Sequence, residues 1–351
     1  MIKTVRSIAA ALSAVALSSG VASAQSVDLT GAGATFPYPI YSKWFADYAQ
    51  TSGVKINYQS IGSGGGIRQL SEQTVDFGAS DSPMSDQELA NAKGGPVLHF
   101  PTVMGAVVIT YNIPAVTKPL NFSGDVIADI FSGKITKWND AQIVAQNRGV
   151  SLPNSDILVV HRSDGSGTTY IFSDYLSAVS PSWSSSLGKA KEIKWPVGLG
   201  GKGNEGVAGQ VKQTPGSIGY VELAYAKQNK LPYANVRNDA GRFVAPSIAS
   251  VTAAAAGMKL PKNTDYRVSI VNAPGKDSYP ISSMTWILAY QNQTDRLKGE
   301  KLVNFLRWAY KNGEKSAESL DYAPLPPAMV AQLQNRLKSI SVAGSQVGAA
   351  R

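Results

Sequence analysis

The sequence contains no cysteine and only two histidines, His99 and His161. The first absence excludes a disulfide framework, a thiol nucleophile and a lipid carried on a cysteine behind a leader. The second leaves too few imidazoles for a histidine-based zinc site; carboxylate-only metal sites stay open, and no metal or other cofactor is called for. His161 lies inside an apolar run and reads as a packed side chain rather than a catalytic one. Long hydrophobic runs are missing too, since nothing approaches the roughly 18 consecutive apolar residues of a membrane-spanning helix. Basic runs are equally absent. The 351 residues carry 33 Lys and Arg against 24 Asp and Glu, a formal charge of +9. These residues are scattered singly and interleaved, so no stripe for a phosphodiester backbone forms and no nucleic acid partner is expected. There are no low-complexity linkers and no convincing internal repeats.

What is present begins with a leader. Lys3 and Arg6 precede an apolar stretch from Ile8 to Leu17, and small residues follow, ending at Ala22, Ser23 and Ala24. This is the three-part pattern of a secretory signal peptide over residues 1–24, with cleavage expected after Ala24. The remainder is then an exported protein, free in the periplasm, and its length suggests about two domains.

Along the rest of the chain short apolar runs alternate with helical patterns. Residues 54–58, 107–111, 157–161, 218–221 and 286–290 are strand candidates. Between them Ile40, Tyr41, Trp44, Phe45 and Tyr48, and later Leu302, Phe305, Leu306 and Ala309, recur at helical spacing, the second set closed by Lys311 and Gly313. The alanine-rich residues 247–258 read as a plain helix. Such an order predicts α/β architecture, with mostly parallel sheets and helices on their faces. Two lobes, if present, should be joined by strands that cross between them.

Three loops carry the chemistry. Residues 30–37, TGAGATFP, run into the first helical pattern; residues 61–66, IGSGGG, follow a strand candidate and lead into Ile67; residues 162–169, RSDGSGTT, follow another and precede Ile171 and Phe172. At a strand-to-helix turn free backbone N–H groups point outward at the positive end of the helix dipole, and glycine lets a ligand come close. One such loop is an ordinary capped helix start. Three brought together would offer a small oxyanion a cage of N–H and O–H donors. Arg162 is the natural cation of that cage, because a guanidinium presents paired donors, and Asp164 could orient it; the plain alternative is a surface ion pair. Asp81, in VDFGASDSP, is acceptor-only when ionised, so it would repel a fully deprotonated anion and attract one that keeps a proton. Its plain alternative is a turn or cap aspartate before Ser82 and Pro83.

Two other patterns are set aside. Residues 198–203 match G-x-G-x-x-G, but Trp195 and Pro196 sit where the preceding strand should end, which argues against a dinucleotide fold. An esterase reading of Gly165-Ser166-Gly167 fails because position 164 is Asp rather than Gly. A rival of another class remains: an exported phosphatase using Ser166 or Thr168 as nucleophile.

The segments TGAGATFP, IGSGGG, VDFGASD, RSDGSGT, KWPVGLGGKGNEG and IGYVELAYAKQN, with WAYKNG and LDYAPLP near the C-terminus, occur in the order found in one family. The chain closely resembles the phosphate-binding periplasmic subunit of the high-affinity phosphate ABC transporter, over nearly the whole exported part. The resemblance implies the type II periplasmic-binding-protein fold, two α/β lobes joined by a two-stranded hinge. Residues 25–105 and 280–351 would form the first lobe and residues 106–279 the second. It implies no enzymatic activity, a monomeric state, one inorganic phosphate enclosed between the lobes and an inner-membrane permease as partner. Carried over, the phosphate contacts would be Thr35, Phe36, Ser63 and Asp81 from the first lobe and Arg162, Ser166, Gly167 and Thr168 from the second, with Asp164 holding Arg162. Gly64 follows Ser63 where other members can have a second serine.

Overall fold

The computed structural model describes residues 29–258, 260, 264–342 and 344–347. The signal-peptide expectation for residues 1–24 lies outside the described residues. Eight strands form one curled sheet: β1 (Leu29–Gly33), β2 (Ile56–Ser60), β3 (Phe77–Ser80), β4 (Val97–Tyr111), β5 (Leu158–Arg162), β6 (Leu199–Gly201), β7 (Ser217–Glu222) and β8 (Ser282–Tyr290). Their spatial order is β2-β1-β3-β8-β4-β7-β5-β6. Both flanks are parallel, as the α/β alternation predicts, with β1 pairing β2 and β3 on one side and β5 pairing β6 and β7 on the other. The centre departs from that expectation: β3/β8, β8/β4 and β4/β7 are antiparallel. The chain leaves the first lobe along β4 and returns along β8, so the crossing strands run in opposite directions.

β4 is the longest strand and serves both lobes. Residues 97–106 pair with β8, and residues 107–111 with β7. The sequence pattern marks only the second of these stretches, since Pro101 interrupts the first. The register there skips a residue, Thr285 facing Val103 and Trp286 facing Pro101, and such a bulge is where a strand tolerates proline.

Helix α1 (Tyr38–Ser52) buries Ile40, Tyr41, Trp44, Phe45 and Tyr48, the face its periodicity predicts, and it stops at Gly53, which adopts φ 72° and donates to the Ala49 carbonyl. Trp44 Nε1 donates to the Gly313 carbonyl at 2.9 Å. That glycine therefore both follows a long C-terminal helix (Arg296–Lys311) and admits the indole. The alanine-rich segment is a helix over Ile248–Ala256, started by reciprocal hydrogen bonds between Ser247 and Ser250. No helix among the described residues is long and apolar enough to cross a membrane.

Candidate functional site

Each glycine-and-hydroxyl loop opens a helix at the C-terminal end of its strand, and β5 runs opposite to β1 and β2 in the sheet. β1 leads through residues 34–37 into α1; β2 leads into α2 (Ser63–Ser71); β5 leads into α3 (Gly167–Val179). The loops meet face to face. Gly64 N–H donates to the Gly165 carbonyl at 2.8 Å, and a Cβ placed on Gly167 would stand 2.3 Å from Ser63 Oγ and 2.6 Å from Asp81 Oδ2. Thr35, Phe36, Ser63, Asp81, Arg162, Ser166 and Thr168 are all buried. Among the described residues, the backbone N–H groups of Thr35, Phe36, Ser63, Gly167 and Thr168 have no acceptor. These are the donors a helix start leaves over. Ser166 Oγ accepts from Thr169 N–H at 2.9 Å; this is a helix cap, and the hydroxyl proton stays available.

Arg162 and Asp164 are not the surface ion pair that two neighbouring charges commonly form. Their side chains are 1% and 13% exposed. Arg162 Nε donates to Asp164 Oδ1 at 2.8 Å and Nη2 to Oδ2, while Nη1 donates to Thr168 Oγ1 at 3.2 Å. A guanidinium has about five N–H groups, so two remain for another acceptor. Asp164 also accepts from Gly203 N–H at 3.0 Å. Burial alone would raise the Asp164 pKa, but the hydrogen bond and charge of Arg162, with the Gly203 amide, hold it below the usual carboxylate range.

Asp81 is not a turn cap either. Its Oδ1 accepts from Thr285 Oγ1 at 2.8 Å, a residue 204 positions away, and its own N–H donates to Ser63 Oγ at 3.0 Å. The Ser63 hydroxyl lies 3.4 Å from Oδ2. Burial pushes the Asp81 carboxyl up from 3.8 to about 7, against the opposing pull of Thr285, Arg162 and Ser63. The buried carboxyl therefore holds a proton through a pH range in which the unfolded chain has lost it. That contribution to stability is fully present below pH 3.8 and is lost as pH rises through about 7. In ligand-free protein Asp81→Asn should raise the melting temperature at about pH 8, by an amount corresponding to roughly 2–4 kcal/mol, and the difference should close toward about pH 4. Differential scanning calorimetry of both forms across that range checks it; a difference independent of pH would show that Asp81 titrates normally.

Three neighbours of this cluster were not singled out by sequence reasoning. Asn204, fully buried, donates from its backbone N–H and from Nδ2 to Thr35 Oγ1 at 3.1 and 2.7 Å, and from Nδ2 to Thr168 Oγ1 at 3.0 Å. Gly203 holds Asp164, and Thr285 holds Asp81. The signal for the first two was the glycine run at residues 198–203. It contains the short strand β6 and opens α4 (Gly203–Gln213), with Gly203 at φ 70°, so it is a fourth glycine-bearing strand-to-helix turn beside the other three. Trp195, which argued against a strand, lies upstream and stacks on half-buried His161 at 4.8 Å. Thr285 gave no signal, being one of three serine or threonine residues, with Ser282 and Ser283, in a fully buried strand.

Comparison with known proteins places the chain. The PBP superfamily domain matches residues 19–312. The phosphate-binding protein PstS of Xylella fastidiosa strain 9a5c is 48% identical over 88% of this chain and 85% of its own length. The phosphate-binding protein PstS of Pasteurella multocida is 46% identical over 94% and 95%. Among solved structures, a high-affinity periplasmic phosphate-binding protein, PfluDING, bound with phosphate, superposes with a TM-score of 0.73 at 22% identity, covering 92% of this chain and 96% of that one. The fold is thus the two-lobed one of periplasmic binding proteins, and the chain belongs to the PstS family of phosphate-binding proteins within the PBP superfamily.

Proposed function

We propose that this protein captures one inorganic phosphate ion between its two lobes in the periplasm, as a monomer without enzymatic turnover, and delivers it to an inner-membrane ABC permease. Residues 1–24 are removed after Ala24 on export. Residues 25–105 with 280–351 form one lobe and residues 106–279 the other; the change of partner along β4 at residues 106–107 supports this division. Thr35, Phe36, Ser63 and Asp81 from the first lobe, and Arg162, Ser166, Gly167 and Thr168 from the second, hold the ion, with Asp164 orienting Arg162.

The observation that carries this reading is one buried carboxylate among donors. Free N–H groups, hydroxyls and the Arg162 guanidinium suit any small oxyanion. Once ionised, as it is above about pH 7, Asp81 suits only an anion that still carries a proton, as phosphate does there and sulfate does not. A buried polar site rejects a ligand that leaves one of its groups unpaired, which makes the carboxylate a filter. Lobe closure buries the ion, and the permease recognises the closed form.

Calorimetric titration of phosphate-stripped protein with phosphate and sulfate tests this. At about pH 8, where Asp81 is ionised, wild type should bind one phosphate and no sulfate. Asp81→Asn removes the repulsion of a proton-free anion while keeping a carbonyl acceptor, so the preference for phosphate should shrink by at least about tenfold, the scale of one charged hydrogen bond. A mutant that still excludes sulfate completely would remove Asp81 from this role.

A further inference from the structure

The geometry around Asn204 points to a task that the phosphate contacts do not perform for themselves. We infer that Asn204 is a positioning residue that compels the hydroxyls of Thr35 and Thr168 to act solely as donors into the cleft, and so sets which protonation pattern of ligand the site accepts. The inference rests on the phosphate reading above and adds a specificity-determining residue to it.

A hydroxyl has one proton and two acceptor positions. Thr35 Oγ1 accepts from Asn204 N–H and from Asn204 Nδ2, at 3.1 and 2.7 Å. Thr168 Oγ1 accepts from Asn204 Nδ2 and from Arg162 Nη1, at 3.0 and 3.2 Å. Both acceptor positions of both hydroxyls are therefore filled, and each threonine keeps only its O–H to offer. The asparagine amide is itself fixed. Its Oδ1 accepts from Glu222 N–H at 2.8 Å, so turning it over would set an NH₂ group against an N–H donor and a carbonyl between the two threonines.

Asn204 has spent both Nδ2 protons on the threonines, so its influence on the anion passes through them. Without it either hydroxyl could rotate and accept a proton from the ligand. With it neither threonine can accept, and the acceptors left among the proposed side-chain contacts are Asp81 and one unfilled position on each of the Ser63 and Ser166 hydroxyls, which disfavours an anion carrying additional protons. Thr35 follows β1 in the first lobe and Thr168 lies in α3 in the second. The same amide group therefore links the lobes in the closed arrangement.

A double-mutant cycle read by phosphate titration calorimetry tests the inference. Asn204→Ala should weaken phosphate binding by at least about tenfold, because two hydroxyls lose their imposed orientation toward a charged ligand. In a Thr35→Val/Thr168→Val background the same substitution should change affinity by less than about twofold, since no hydroxyl remains to be oriented. The loss in the single variant should also shrink from about pH 8 to about pH 5, where phosphate gains a second proton that a released threonine oxygen can accept. If Asn204→Ala does not fold, Asn204→Ser, which can orient one hydroxyl but not both, gives the same cycle with a smaller first effect. An undiminished effect in the valine background, or wild-type affinity in Asn204→Ala, overturns the inference while leaving phosphate binding intact. Wild-type protein that takes up no phosphate overturns the underlying ligand reading instead.

Discussion

Gly167→Ala is expected to weaken phosphate binding by more than about a hundredfold, a loss of roughly 3 kcal/mol or more, without unfolding the protein. The methyl group would stand 2.3 Å from Ser63 Oγ, 2.6 Å from Asp81 Oδ2 and 2.7 Å from Asp81 Cβ. A hydroxyl could swing aside, but the Asp81 Cβ is tied to a backbone held in the sheet by β3 and by Thr285. The clash therefore falls on the approach of the two lobes. Gly167 itself does not use a glycine-only conformation, since it is absent from the residues with positive φ. As the first residue of α3, it can become alanine with no backbone strain, and the helix is if anything favoured. The expected pair of results is thus unusual: a thermal transition at or above that of ligand-free wild type, and a small-angle scattering profile that no longer contracts when phosphate is added. An affinity within about tenfold of wild type would mean that the lobes do not meet at Gly167 when phosphate binds.

Arg162→Ala should weaken phosphate binding to a similar extent. Two guanidinium N–H groups remain after Asp164 and Thr168 are served, and charge-assisted hydrogen bonds contribute about 1.5–3 kcal/mol each, so losing two corresponds to at least about a hundredfold. Ligand-free stability should fall as well, because Asp164 is left as a largely buried carboxylate with the Gly203 amide but no cation. Breaking a buried pair from one side costs about 3–5 kcal/mol. Arg162→Ala/Asp164→Ala separates the two effects. The double variant should recover much of the lost melting temperature and none of the lost affinity. Recovery of phosphate binding in that variant would show that Arg162 serves only to neutralise Asp164, and does not contact the anion.

The three loops at Thr35, Ser63 and Arg162 could be read from sequence because their signal is local: an apolar run, then glycine and hydroxyls, then helical spacing. The buried character of Asp81 and Arg162 could not be read this way. A carboxylate two residues before a proline and an Arg-x-Asp triplet look the same on a surface, and only the tertiary fold takes them out of water. Asn204 was missed because the glycine run before it was judged against a dinucleotide-binding pattern and not against its three sister loops. Thr285 was out of reach, since its partner Asp81 lies 204 positions away and period-two spacing names no partner. For the same reason the apolar runs identified the strands at 218–221 and 286–290 but could not reveal the antiparallel pairing at the centre of the sheet, which depends on where the chain crosses back.

That return crossing governs when the sheet can be completed. β8 lies between β3 and β4, yet about 170 residues of chain separate it from β4. A polypeptide emerging from its N-terminus first makes β1 to β3 with an open edge, then the whole second lobe, and closes the first lobe last. Long-range strand pairing of this kind is slow, because the loop entropy must be overcome before the contacts form. The early segments consequently cannot lock into their final arrangement while synthesis is under way. On the export route proposed above, in which the chain crosses the inner membrane before it folds, late closure would keep the leading third passable.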